Sequence, residues 1–184
     1  MKTIDMRRHA EKEMGGRVTT VTGRQMAKTL GSLSPYDYLV AGLLPHSWET
    51  LAAFMLQMPN VCEAWVLASV AEFGDDGLFA SWGIKGLSEA TAACGGSYFE
   101  GLRKILTTEE FKDAQMKALT GIQKVFSQMA GGTKAVAFGH TPVIELAASA
   151  VNPDFVDPKL LPLDGFSFYQ SNNGEISVKQ IGDQ

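Results

Sequence analysis

Two short apolar runs that each stop at a histidine constrain this chain more than any other feature. Residues 2–8, "KTIDMRR", lead into His9, and residues 134–138, "KAVAF", lead through Gly139 to His140. Runs of this length that end abruptly in polar residues read as central strands, because an amphipathic helix needs a longer periodic segment. A helical pattern follows each of them. In an open α/β sheet, ligands bind at the carboxyl ends of the strands, so the two histidines are expected to face one crevice. The third and last histidine, His46, stands behind Pro45 at the start of another helical pattern.

The remaining elements fall around these runs. Thr22 is placed to cap a helix running through Lys28 and Leu30, with Gly31 as its stop. Tyr38–Gly42 reads as a second strand, followed by a helix from Pro45 with Trp48, Leu51, Ala52 and Met55 on one side. Val61–Ala68 reads as a third strand, and the glycine-rich "EFGDDGLFASWGIKG" as an irregular segment able to cover a site. Thr107 and Glu110 stand at capping-box spacing before a stripe of Phe111, Ala118, Ile122, Val125, Phe126 and Met129. Thr141 and Pro142 start a helix through Ser149, and "DGFSFYQ" pairs with "GEISVKQIG" as a hairpin across residues 172–174. Alternating strands and helices that end in a hairpin predict an α/β fold: a three-layer α/β/α sandwich with a mostly parallel central sheet and an antiparallel edge hairpin.

Composition narrows the function classes. At 184 residues the chain is expected to form a single domain, 1–184, large enough to fold without disulfides or metals. A net charge of -4 with no stripe of Lys and Arg argues against nucleic acid as partner. Cys62 and Cys94 show no Cys/His ligand spacing, so neither a disulfide framework nor a metal is expected. No apolar run approaches the ~20 residues of a membrane span, and a cytoplasmic location is the expectation. Gly15 and Gly16 are followed by neither a dinucleotide fingerprint nor a Walker lysine, and no cofactor is expected.

The sequence "RHAE" at Arg8–Glu11, then "TTVTGRQMA" and much later "AFGHTPVI", resembles the histidine phosphatase superfamily, also called phosphoglycerate mutase-like. Arg8, His9, Ala10 and Glu11 match its Arg-His-Gly/Ala-Glu motif. Thr20, Gly23 and Ala27 match its Leu-Thr-x-x-Gly-x-x-Gln-Ala segment, with Thr19 and Met26 in place of Leu and Gln, and Gly139–His140 match its Gly-His motif. The resemblance implies that His9 is the nucleophile and takes a phosphoryl group that water then removes. It implies that Arg8 holds the phosphoryl oxygens and that His140, as a cation, stabilises their transition-state charge. It also implies a carboxylic acid after the third strand to protonate the leaving group; Glu72 fits best, with Asp75 and Asp76 nearby. The chemistry is reasonable for these residues, because a neutral imidazole is nucleophilic near pH 7 without a separate base.

The main departure lies at "LPHSWETL". Relatives carry Ser-Pro-x-x-Arg-Ala-x-x-Thr there, with a second phosphate-binding arginine; here His46 stands in its place while Glu49 and Thr50 keep the register. An imidazole has fewer donors and is charged for only part of the time near neutrality, so weaker or more pH-dependent phosphate binding is expected. Arg17 is the candidate substitute, since loop cations can reach inward; Arg7 points to the opposite strand face from Arg8. The expected activity is metal-independent hydrolysis of a phosphorylated small molecule or phosphoprotein, in the compact branch that includes the phosphohistidine phosphatases. The alternative is a weakly active or non-catalytic phosphate-binding member, with a mutase behind both. Substrate choice falls to Phe73–Tyr98, and the substrate and oligomeric state stay open.

Overall fold

The computed structural model describes residues 1–13, 18–33, 35–67, 70–73 and 86–181. Six strands form one sheet: β1 (Lys2–Arg8), β2 (Tyr38–Ala41), β3 (Trp65–Val66), β4 (Lys134–Gly139), β5 (Gly165–Gln170) and β6 (Ile176–Gln180), in the order β3-β2-β4-β1-β5-β6. The pairs β3-β2, β2-β4 and β4-β1 are parallel, whereas β1-β5 and β5-β6 are antiparallel. The sheet is thus the mostly parallel one with an antiparallel edge hairpin that the alternation predicts.

Helices cover both faces. Ile4 and Met6 of β1, with Ala135, Ala137, Phe166 and Phe168, pack under α5 (Thr108–Gln128) and α6 (Val143–Val151). Leu39, Val136 and Phe138 pack under α1 (Val21–Gly31) and α2 (Pro45–Met55) on the other side. This split follows from strand alternation, which turns neighbouring residues to opposite layers. Among the described residues, no helix is long and apolar enough to cross a membrane.

Several local expectations change. The cap of α1 is Thr20 rather than Thr22: its hydroxyl accepts from the Gly23 N–H at 2.9 Å, the N3 donor that an N-cap oxygen serves. Gly31 does not end α1 through a left-handed conformation. A Cβ there would lie 2.1 Å from the Phe54 carbonyl oxygen, so glycine is needed for the close approach of α1 to α2. On α2 the inward face is rotated from the expected one: His46, Thr50, Leu51 and Phe54 are buried, Trp48 and Met55 are half-buried and Ala52 is exposed. The helix serves the sheet and the loop after β1 together, and hydrophobicity alone misses polar residues that turn inward.

The third strand is the largest correction. Val61–Glu63 form a 3₁₀ turn, and only Trp65 and Val66 pair, with Tyr38 and Leu39. Both are exposed, because β3 is an edge strand beside a β2 of four residues. Two helices without a sequence expectation follow, α3 (Leu87–Ala93) and α4 (Tyr98–Ile105). Ser97 caps α4 by accepting from the Glu100 N–H, a cap-plus-acid signal legible in the sequence. The capping box of Thr107 and Glu110 is present on α5, and its expected stripe is buried apart from a half-buried Phe111.

Candidate active site

The three histidines meet because of sheet register. Arg8 of β1 pairs with Gly139 of β4, so His9 and His140 leave adjacent parallel strands side by side, and the His9 N–H donates to the Gly139 carbonyl at 3.0 Å. Glycine at 139 has a packing reason: a Cβ would sit 3.0 Å from Met6 Cε and 3.1 Å from the Phe73 carbonyl oxygen. On the other side of β4, Ala41 pairs with Phe138, and the chain turns at once into α2, whose first residues are Pro45 and His46. Three neighbouring strands therefore deliver one imidazole each to the carboxyl end of the sheet.

The rings form a near-equilateral cluster, with centroids 4.3 Å apart for His9–His46 and 4.4 Å for both His9–His140 and His46–His140. His46 Nε2 and His140 Nε2 are 2.5 Å apart. His9 Nδ1 lies 2.6 Å from the Ala10 carbonyl oxygen, which can only accept, so Nδ1 carries the proton and Nε2 keeps its lone pair. Burial pushes His9 down to about 3; the Ala10 carbonyl opposes this, while His46, Arg8 and Lys12 add to it. Burial, then His9 and His46, hold His140 at about 2. Both rings are neutral at pH 7. His9 therefore has the form a nucleophile needs, and the burial and neighbouring rings of His140 work against the cationic form that its expected role requires.

The loop after β1 is fastened onto α2 and α1 by the other motif residues. The Ala10 N–H donates to Thr50 Oγ1, which donates to the His46 carbonyl, tying His9 to His46 through α2. Glu49 accepts from the Thr19 N–H and hydroxyl at 2.6 and 2.8 Å, and Thr20 donates to Glu11. These residues position the imidazoles and do not reach them.

Arg8 and Arg7 part company as strand alternation requires. Arg8 lines a cavity of about 200 Å³ with Ser97, Thr141, Glu145, Asp157 and Lys159. It donates to the Leu160 carbonyl, and its buried Nε has no protein partner. Arg7 lines a separate cavity on the opposite face with Asp5, Tyr36 and Lys134. Glu72 lies in a short 3₁₀ turn, Ala71–Phe73, and its carboxylate is paired with Lys124 of α5, not with an imidazole. Arg17, Asp75 and Asp76, with most of the segment expected to cover the site, lie outside the described residues.

Sequence reasoning missed Glu145. It sits in the first turn of α6, buried, with Oε2 lacking any partner, and burial pushes its carboxyl up to about 8. It is a neutral acid at pH 7 on the wall of the Arg8 cavity. Its position five residues after His140 was the available signal, hidden because it reads as one polar residue in an apolar helix.

No protein-family model matches the chain, and no curated protein matches it either. Solved structures do. Bacillus stearothermophilus YhfR aligns with 100% of this chain and 98% of its own at 16% identity and a TM-score of 0.70. A phosphoglycerate mutase from Bacillus anthracis aligns over 98% and 92% at 15% identity and 0.67. The protein histidine phosphatase SixA, complexed with tungstate, aligns over 96% and 94% at 14% identity and 0.52. At these identities the likeness concerns architecture, and this chain has the fold of the phosphoglycerate mutase-like histidine phosphatases.

Proposed function

We propose that the protein belongs to the histidine phosphatase superfamily and hydrolyses a phosphorylated small molecule or phosphoprotein through a phosphohistidine on His9. The observation that carries this reading is the hydrogen bond from His9 Nδ1 to the Ala10 carbonyl, which leaves a lone pair on Nε2. That nitrogen attacks phosphorus as the bond to the leaving oxygen or nitrogen breaks, and water then takes the phosphoryl group and frees the imidazole. Arg8, with an unpartnered Nε, supplies a fixed cation for the phosphoryl oxygens. An arriving dianion favours a proton on His140, opposing the burial that removes it. Protonating the leaving group falls to Glu72, freed from Lys124, or to a neighbouring Asp75 or Asp76. The acid Glu145, near Arg8, is a further donor.

A second reading, a phosphate-binding protein of low activity, draws on His46, an imidazole in contact with His140 that stands where relatives carry a second arginine. Turnover of a generic phosphomonoester separates the two. His9→Ala is expected to lower it at least about a thousandfold, and equal turnover by both proteins would remove His9 from the mechanism. For His46→Arg, a large gain favours the low-activity reading, and a loss shows that His46 suits the native substrate.

A further inference from the structure

The imidazole cluster is better furnished with lone pairs than with donors. His9 has its only N–H committed to Ala10, and the His46–His140 contact leaves one proton between two Nε2 atoms. A phosphate would find few hydrogens there; a Lewis-acid cation would find nitrogen ligands. One ring nitrogen of each histidine lies within 4.8 Å of the other two. Tetrahedral coordination at the usual zinc–nitrogen length of about 2.0–2.1 Å sets ligand nitrogens roughly 3.4 Å apart. The pair at 2.5 Å must open by roughly an ångström to reach that spacing, within the reach of side-chain rotation.

We propose that His9, His46 and His140 form a three-imidazole site for a divalent cation of the zinc class, with the fourth position open to water or an oxyanion. Imidazole nitrogen suits zinc, cobalt, nickel and copper rather than magnesium or calcium, which take oxygen ligands. The support around the ligands is already built: Ala10 fixes the ring of His9 through Nδ1, and Thr50 ties the Ala10 N–H to the carbonyl of His46. Binding needs the proton between the two Nε2 atoms to leave that contact, for another ring nitrogen or for solvent, so that each Nε2 offers its lone pair. Arg8, next to His9 in the chain and with a buried Nε that has no partner, suits the fourth position to an anion, hydroxide or a phosphate oxygen, that offsets the added charge. The site is independent of the phosphatase reading, and the two exclude each other in time, because cation and phosphoryl group need the same lone pair of His9.

The test uses the full chain stripped with a chelator and titrated with Co²⁺, then with Zn²⁺ in competition. One equivalent of Co²⁺ is expected to give the visible bands of a tetrahedral nitrogen and oxygen site with no thiolate charge-transfer band, and Zn²⁺ to abolish them. His46→Gln is expected to weaken binding at least about tenfold, while Cys62→Ser with Cys94→Ser leaves the bands unchanged. If His46→Gln unfolds, His46→Arg, which keeps a long polar side chain, is read instead with the same expected loss. The proposal is overturned if the wild-type protein gives no tetrahedral cobalt spectrum, or if the folded His46 variant binds as tightly as wild type. Turnover is not read, so a protein that fails as a phosphatase can still pass.

Discussion

Two buried carboxyl groups on opposite faces of the sheet show what separates a scaffold from a site. Asp5, in the middle of β1, accepts from Tyr36 Oη at 2.7 Å and Ser167 Oγ at 2.5 Å, and Lys134 Nζ stands 2.9 Å away. Burial pushes its carboxyl up, but the bonds from Ser167, Tyr36 and Lys134 more than offset that, and it ends below the ordinary value. Glu145 is as deeply buried, yet Oε2 has no partner, and its carboxyl rises to about 8. A satisfied buried charge locks β1, β4, β5 and the Tyr36 loop together. An unsatisfied one is tolerated only as a neutral acid, and it lies beside Arg8, where such an acid has a use.

The contrast breaks first at Asp5. Replacing it with Ala strands Tyr36, Ser167 and Lys134, and a loss of about 3–5 kcal/mol in urea unfolding is expected; a loss below about 1 kcal/mol would mean that the network is not structural. Tyr36→Phe removes one bond to a charged acceptor and is expected to cost about 2 kcal/mol, read the same way. Glu145→Gln has the smallest effect in acid and one that changes with pH. The folded carboxyl titrates at about 8 and the unfolded one at 4.5, so the folded state holds the extra proton between them. Wild-type stability therefore has its full value below pH 4.5 and falls as pH rises toward 8, by up to about 1.4 kcal/mol per unit. Asp5 has the opposite sign: its contribution is complete above its unfolded value of 3.8 and is lost as pH falls. Stability curves of wild type and Glu145→Gln should diverge with rising pH, the variant gaining; parallel curves from pH 5 to 8 would show that Glu145 is not held neutral.

Much of the fold was legible where local chemistry and tertiary packing agree. The strand at Lys2–Arg8, the Pro-led α2, the capping box of α5 and the closing hairpin each carry a signal within a few residues. The errors fall where a neighbour decides. Gly31 reads as a stop until Phe54 is known to lie against it, and Val61–Glu63 reads as strand until β2 proves too short to pair with it. For the site, the motif residues Arg8, His9 and His140 were recognisable, whereas the partner of Glu72 and the acid at Glu145 were not. Both depend on residues far away in sequence.

The sequence by itself determined that strand ends would present Arg8, His9 and His140, because apolar runs of that length can stop only where the chain leaves the sheet. The resemblance set His46 in the same pocket, and the tertiary structure decided that its ring closes a triangle with those of His9 and His140. Its place follows from the parallel register of β2, β4 and β1, which sets three chain exits side by side, and from a helix that turns its first polar residue inward. Spacing along the chain gave His46 its register but not its contact with His140. Three distant imidazoles become one cluster of lone pairs only when the sheet has formed.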